Sequence, residues 1–262
     1  MDSRLSDLPV VTRMAPPLAL VATPPHQGLE VVFDDVWCGG APMLKAISFT
    51  LEAGSTLALV GRPGAGKWEC SAVLTRERSL AGGRVLIGGV DLRDLPGASL
   101  PRLVAMVRRS EDLAPGSIAD NIARNFPQAG LADVRRAARR AGIDQLIEAL
   151  PAGYDTPCEG STPGLRRALA VARAFLQDAP ILILEDARDE DPPALAQALV
   201  ELRQGRTVLM ITHRPETMAA ADWIVVLEDG RLVEEGRHAQ LLAWNDRYAR
   251  LIAQAPCSPH RG

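Results

Sequence analysis

A glycine-rich loop that follows directly on a short apolar run constrains the fold of this chain more than any other segment. The run Thr56–Val60 is preceded by a turn at Glu52–Ser55, and it suits a strand buried on both faces of a parallel sheet. The loop then reads Gly61-Arg62-Pro63-Gly64-Ala65-Gly66-Lys67, and a helix-compatible stretch follows. A strand, a GxxxxGK loop and a helix in this order predict a phosphate-binding loop.

The chemistry of such a loop rests mainly on its backbone. Glycines let the chain curl so that successive N–H groups point at phosphate oxygens, and the next helix adds its positive N-terminal end. Lys67 would reach the terminal phosphates of a nucleotide. The other interpretation is a glycine-rich turn with a chance lysine, and it fits less well because the loop follows a buried strand.

The residue directly after the loop departs from the usual pattern. A serine or threonine normally stands directly after the lysine, where its hydroxyl ligates Mg²⁺. Here Trp68 takes that place, and Glu69 follows it. An indole cannot coordinate Mg²⁺, so we include both residues in the candidate nucleotide site and expect the metal site to be weakened.

Two further apolar runs end in residues that suit the same chemistry. Ile181–Leu184 runs into Glu185 and Asp186, and a run from Thr207 ends at His213. A carboxylate pair or a histidine alone is usually structural or solvated. At the carboxyl ends of parallel strands, however, such groups meet around one ligand. In a phosphate-loop site one carboxylate holds Mg²⁺ and the next polarises the attacking water.

The alternation of apolar runs and helical stretches predicts an α/β fold with a largely parallel sheet, in which the helical block in the middle would be an inserted subdomain. We expect a Pro-rich linker or tail over residues 1–28, one nucleotide-binding domain over 29–255 and a short tail over 256–262. The helical subdomain would span about 110–176. An amphipathic helix is predicted over Ala132–Leu150, with a possible break at Gly142.

Charge, cysteine content and hydropathy exclude several other classes of protein. The net charge is −3, from 29 basic against 32 acidic residues, which argues against a nucleic-acid partner. The four cysteines are widely spaced and form no CxxC pair, so they predict neither a zinc site nor a disulfide framework. No apolar run reaches the ~18 residues of a membrane span. We therefore expect a cytoplasmic chain that reaches a membrane only through a partner.

Several separated segments, in order, resemble the nucleotide-binding domain of ABC (ATP-binding cassette) transporters of the exporter type. The resemblance covers about Leu29 to Leu251. It rests on the following segments: Met43–Phe49, Gly61–Lys67 (Walker A), Ala114–Ile122, Leu150–Thr156, Leu169–Ala174, Ile181–Asp186 (Walker B), Ile211–Arg214 (H-loop) and Val226–Gly236. The resemblance implies a P-loop NTPase (RecA-like) core with an inserted helical subdomain and an N-terminal antiparallel β region. It also implies ATP and Mg²⁺ as cofactors, a transmembrane partner, and a second nucleotide-binding domain in a head-to-tail homo- or heterodimer.

The resemblance also implies roles for single residues. Glu185 would face Mg²⁺, Asp186 would be a weakened base or water-orienting group, and His213 would contact the γ-phosphate. Trp37 would be the adenine platform, although the loop beside it is shortened. Ala114–Ile122 resembles the segment that faces the membrane domains.

The departures from the family pattern fall mainly on residues that are expected to take part in ATP binding and hydrolysis. Arg109 stands where the Q-loop has glutamine, and the signature LSGGQ appears as Ser161–Leu165, in which Thr162 keeps a hydroxyl and Gly164 keeps one glycine. Pro163 removes a backbone N–H from the signature. Walker B normally ends in Asp then Glu, whereas here Glu185 precedes Asp186.

These departures leave three functional hypotheses. The first is an ATP-binding subunit that couples ATP binding, and weak hydrolysis at most, to transport by a partner membrane domain. The second is a catalytically inactive ABC-like domain with a structural or regulatory role in a heteromeric complex. The third, a soluble ATPase that works on DNA or the ribosome, is disfavoured by the charge balance.

Overall fold

The computed structural model describes residues 28–40, 43–108, 111–185, 191–244 and 246–254. Ten strands are present among them: β1 (Val31–Cys38), β2 (Leu44–Leu51), β3 (Thr56–Val60), β4 (Gly82–Ile87), β5 (Val90–Asp91), β6 (Val104–Val107), β7 (Ile181–Glu185), β8 (Thr207–Ile211), β9 (Trp223–Glu228) and β10 (Arg231–Gly236). The described α-helices are α1 (Lys67–Leu74), α2 (Leu100–Leu103), α3 (Ile118–Ala123), α4 (Leu131–Arg140), α5 (Asp144–Glu148), α6 (Pro163–Gln177), α7 (Pro193–Arg203), α8 (Pro215–Ala219), α9 (His238–Trp244) and α10 (Arg247–Gln254).

The predicted parallel sheet is present, and it is six-stranded in the order β10-β9-β3-β8-β7-β6. Neighbouring strands from β9 to β6 run parallel, and only β10 pairs antiparallel, with β9. β8 is buried along its whole length, which matches its unbroken apolar sequence. Because β3, β8 and β7 are adjacent, the loops that follow them meet at one edge of the sheet.

A four-stranded antiparallel sheet of order β2-β1-β4-β5 forms the predicted N-terminal β region. Its apolar face, α1 and one face of the parallel sheet share a single hydrophobic core. Strand β1 continues to Cys38 because a bulge at Asp35, with φ of 49°, lets the chain keep pairing past two aspartates.

Helices α3 to α6 lie between β6 and β7 and cover the other face of the parallel sheet. Alternate residues of β7 divide between the two cores: Ile181 and Ile183 face the antiparallel sheet, whereas Leu182 and Leu184 face the helices. The expected helix over Ala132–Leu150 is indeed broken at Gly142, whose φ of +73° separates α4 from α5.

Within the described ranges, no helix is both long and apolar enough to cross a membrane.

Candidate functional site

The glycine-rich loop leaves β3 in a conformation that requires glycine at its first position. Gly61 has a φ of +148°, and a Cβ built on it would stand 2.3 Å from the backbone carbonyl oxygen of Leu227 in β9. The loop turns at Arg62, whose carbonyl accepts a hydrogen bond from the N–H of Ala65 at 3.1 Å. Gly66, with a φ of +107°, then leads into α1. The N-terminus of α1 therefore lies at the end of the loop, as phosphate binding requires.

The ammonium of Lys67 lies inside this loop and is only 6% exposed. Its Nζ donates hydrogen bonds to the carbonyl oxygen of Gly61 and, at 2.9 Å, to that of Arg62. Burial lowers the pKa of Lys67 to about 8, and the nearby negative charge of Glu69 opposes that shift. A lysine held in this way provides a desolvated cation at the centre of an anion-binding loop.

The two residues after Lys67 point in different directions. The Trp68 indole is 40% exposed, and the Arg78 guanidinium lies over its ring at 5.1 Å from the centroid. Arg78 also donates to the carbonyl of Gly39, directly after β1, at 3.0 Å. Glu69 is buried in the first turn of α1. The side chain at position 68 offers no oxygen to a metal, so this half of the usual Mg²⁺ site does not fit the ion.

The other two predicted strand ends lie next to the loop in the sheet. Glu185 of β7 and Leu59 of β3 both pair with Ile211 of β8, so the three strands end at the same level. His213 follows β8 by two residues and is exposed. Asp186 and Arg109, which the sequence places at the same edge, lie outside the described residues.

Three other predicted site residues lie outside the loop and the three strand ends: Trp37 in β1, and Thr162 and Gly164 at the start of α6. Trp37 lies on the opposite face of β1 from Val36 and Cys38, which pack into the core with α1. Its Nε1 donates to the Asp35 carboxylate at 3.1 Å, and its carbonyl oxygen accepts the N–H of Ala81 at 2.7 Å.

The signature residues belong to the helical block. Thr162 is the N-cap of α6, and its hydroxyl accepts a hydrogen bond from the N–H of Leu165 at 3.3 Å. Gly164 is exposed in the first turn.

The sequence reading missed Arg167, a fully buried residue of α6. Its guanidinium donates to the carbonyl oxygens of Arg108, at 3.1 Å, and Glu185, at 3.0 Å, and its Nε lies 3.0 Å from the Asp191 carboxylate. It thus joins α6 to the ends of β6 and β7 beside the site. The available signal was an arginine within the apolar stretch of an amphipathic helix.

Comparison with known proteins adds an independent finding. Residues 44–189 match the model of the ABC transporter family. The chain is 42% identical over 231 residues to a mycobactin import ATP-binding/permease protein of Mycobacterium tuberculosis. The matched region covers 84% of this chain and 27% of that protein. It is also 42% identical over 235 residues to an ATP-dependent lipid A-core flippase of Albidiferax ferrireducens, covering 85% of this chain and 40% of the flippase.

A solved structure is similar as well. A bacterial Atm1-family ABC exporter with ATP bound superposes with a TM-score of 0.77 at 32% identity, over 88% of this chain and 42% of the exporter chain. The present chain therefore spans less than half the length of each of these three proteins.

Proposed function

The chain belongs to the ABC transporter family, and from that premise we propose that it is the ATP-binding subunit of an exporter-type transporter, coupling ATP binding to transport by a membrane-spanning partner. The observation that carries the proposal is the buried Lys67 ammonium within a glycine loop at the N-terminus of α1. Backbone N–H groups of Gly61–Lys67 and the positive helix end would hold the phosphates, and Lys67 would pair with their charge.

Hydrolysis by this subunit would be slow. Domains of this family bind ATP with Mg²⁺, which neutralises phosphate charge when it is bound. Trp68 removes the hydroxyl that normally ligates the ion, leaving Glu185 as its candidate protein ligand. The buried Glu69 adds a negative charge next to the phosphates. Asp186 would orient water from a shorter side chain, and His213 would contact the γ-phosphate.

The subunit would work with two partners at the cytoplasmic face of a membrane. One is a membrane-spanning domain, which the ATP-binding/permease relatives carry in addition to their ATP-binding part. The other is a second nucleotide-binding domain, whose phosphate loop would face Thr162 and Gly164 of this chain. A purely structural role is not favoured, because the similar proteins are transporters.

Calorimetry with ATP tests the binding proposal directly. We expect micromolar or tighter binding to the wild-type chain and at least a tenfold loss in Lys67→Ala. The chain offers a matched control, since Lys45 is its only other lysine and lies in β2; Lys45→Ala should bind ATP as the wild type does. Equal affinity in all three proteins, or no binding to any, would refute a phosphate-binding role for the loop.

Copurification tests the coupling proposal. A tagged chain expressed in its own host should capture a membrane-spanning protein, and ATP should change the yield of the complex. Capture of soluble proteins alone would contradict a transporter subunit.

A further inference from the structure

An arginine stacked on an indole lies beside the phosphate loop. Trp68 directly follows Lys67, and the Arg78 guanidinium lies over its ring at 5.1 Å from the centroid. Of the aromatic side chains, tryptophan attracts a cation to its face most strongly. The residue that removes the usual Mg²⁺-ligating hydroxyl therefore holds a different cation next to the loop.

The position of Arg78 is fixed from a second side, at the end of β1. Nη1 donates to the carbonyl oxygen of Gly39 at 3.0 Å. A Cβ built on Gly40, whose φ is +109°, would stand 2.4 Å from the same nitrogen, so glycine at this position leaves room for the guanidinium. Strand β2, which begins four residues later, packs against the loop: a Cβ built on Gly66 would stand 2.8 Å from Leu44 Cδ2. The guanidinium therefore lies at the side of the phosphate loop, between α1 and the end of β1.

Most of the hydrogen-bonding capacity of Arg78 is unused. A guanidinium carries several N–H groups, and among the described residues only the carbonyl oxygen of Gly39 accepts one of them. No described carboxylate forms an ion pair with Arg78, whereas the neighbouring Glu77 pairs with Arg108. The Arg78 side chain is half-buried, and none of its nitrogens is fully enclosed without a partner. Its remaining N–H groups are therefore accessible to a ligand.

The buried carboxylate of Glu69 makes the loop less favourable for phosphates. It lies in the first turn of α1, and its charge acts on the Lys67 ammonium, whose pKa it raises against the effect of burial. Lys67 is thus partly neutralised before a nucleotide binds. Mg²⁺ usually neutralises part of the charge of the β- and γ-phosphates, but Trp68 offers the ion no oxygen. A further cation from the protein would compensate for this loss.

We propose that Arg78 is a phosphate-binding residue of the nucleotide site, and that its guanidinium, held by Trp68, neutralises the charge that Mg²⁺ neutralises in the usual site. This inference rests on the proposed function and adds how the altered site binds its nucleotide. Arginine suits this role because its planar N–H groups match phosphate oxygens in pairs and its charge does not depend on pH. The ligand is a nucleoside di- or triphosphate, and its binding needs no divalent cation.

Calorimetry in EDTA with AMP, ADP and ATP tests this role. Arg78→Gln removes the charge and keeps an amide that can donate to Gly39. We expect this variant to bind ATP at least tenfold more weakly than the wild type does, with a smaller loss for ADP and the smallest for AMP, because the missing Mg²⁺ would act on the β- and γ-phosphates. The matched control is Arg93→Gln. Arg93 is exposed and pairs with Asp91, so this variant should bind all three nucleotides as the wild type does.

Trp68→Ala tests whether the indole holds the arginine, since it leaves the Arg78 side chain in place. The indole is 40% exposed, so its removal should leave the fold intact, which urea denaturation checks. In EDTA we expect Trp68→Ala to lose ATP affinity as Arg78→Gln does. The double variant Trp68→Ala/Arg78→Gln should lose little more than either single variant, because two residues that act as a pair are not additive. Fully additive losses would refute the pairing.

Other outcomes overturn the inference in distinguishable ways. If the wild type does not bind ATP, the proposed function and this inference fail together. If Lys67→Ala loses ATP but Arg78→Gln binds it as the wild type does, only the role of Arg78 is refuted. Equal losses for AMP, ADP and ATP in Arg78→Gln would indicate a contact with the base or sugar, or a purely structural contact at Gly39. A wild-type ATP affinity that falls at least tenfold when EDTA replaces Mg²⁺ would show that the metal ion still supplies the charge.

Discussion

Replacing Gly61 by alanine should destabilise the protein in two ways, through backbone strain and through a steric clash with β9. The backbone there has a φ of +148°, which L-residues rarely adopt, and such strain costs about 1–3 kcal/mol. The added Cβ would also stand 2.3 Å from the Leu227 carbonyl oxygen and 3.0 Å from the Ala65 Cβ. Relieving that overlap must move backbone against backbone, for which overpacking costs of about 1–3 kcal/mol are typical. The sum, about 2–6 kcal/mol, is a large part of a domain's stability.

Gly64→Ala is the matched control within the same loop. Gly64 also has a positive φ, of +80°, but a Cβ there would meet nothing within 4 Å. The Gly64→Ala variant should therefore lose only the free energy of the backbone strain, about 1–3 kcal/mol. Urea denaturation of the wild type and both variants measures the difference, and calorimetry with ATP shows whether the shifted loop still binds phosphate.

Gly61→Ala should be less stable than Gly64→Ala by at least about 1 kcal/mol, and it should bind ATP more weakly. Equal stability of the two variants within about 0.5 kcal/mol would refute the close approach of the loop to β9.

Three further predictions concern the site and the core. Trp68→Ser restores a hydroxyl beside Lys67, so Mg²⁺ should tighten ATP binding at least tenfold more in this variant than in the wild type; calorimetry with Mg²⁺ or EDTA measures this, and an unchanged ratio would contradict the assigned role of Trp68. Because phosphates bind the ammonium form of Lys67, whose pKa is lowered to about 8, ATP affinity should fall as pH rises above 8, by up to about tenfold per pH unit. Lys67→Arg, which stays charged, should bind independently of pH over this range, and a wild-type profile that is flat from pH 7 to 10 would refute the argument. Leu182→Ala, at a residue 0% exposed in β7, should cost about 2–5 kcal/mol by urea denaturation, whereas Val200→Ala, at a residue 44% exposed, should cost less than about 0.5 kcal/mol; similar losses in both would contradict the assignment of the core.

The strands that lead into the site were predictable because each is an apolar run bounded by turn residues. Thr56–Val60 is β3 with the predicted bounds, and the predicted runs at Ile181 and Thr207 are β7 and β8. Strand β6 was not predicted. It is only four residues long and follows Pro101, so local sequence carries little signal, and its position depends on pairing with β7, far along the chain.

The features that the sequence did not predict depend on contacts between segments that lie far apart in the chain. The period of two in β1 places Trp37 on the opposite face from Val36 and Cys38, and its role as the adenine platform stays a prediction. Arg167 could not be assigned from sequence, because its partners are backbone carbonyls of residues that only the folded sheet brings near. The sequence departure at Trp68 was predictable directly, since it follows the loop in the chain.

The Arg167 contacts have a mechanical consequence. One guanidinium joins the ends of β6 and β7 to a helix whose N-cap is Thr162, five residues earlier, or about 7.5 Å along the helix axis. A displacement of Glu185 would therefore move α6 at Arg167. The exposed N-terminal turn of the helix would move with it. In a dimer, this N-terminal turn would transmit a movement at one nucleotide to the surface that meets the other subunit.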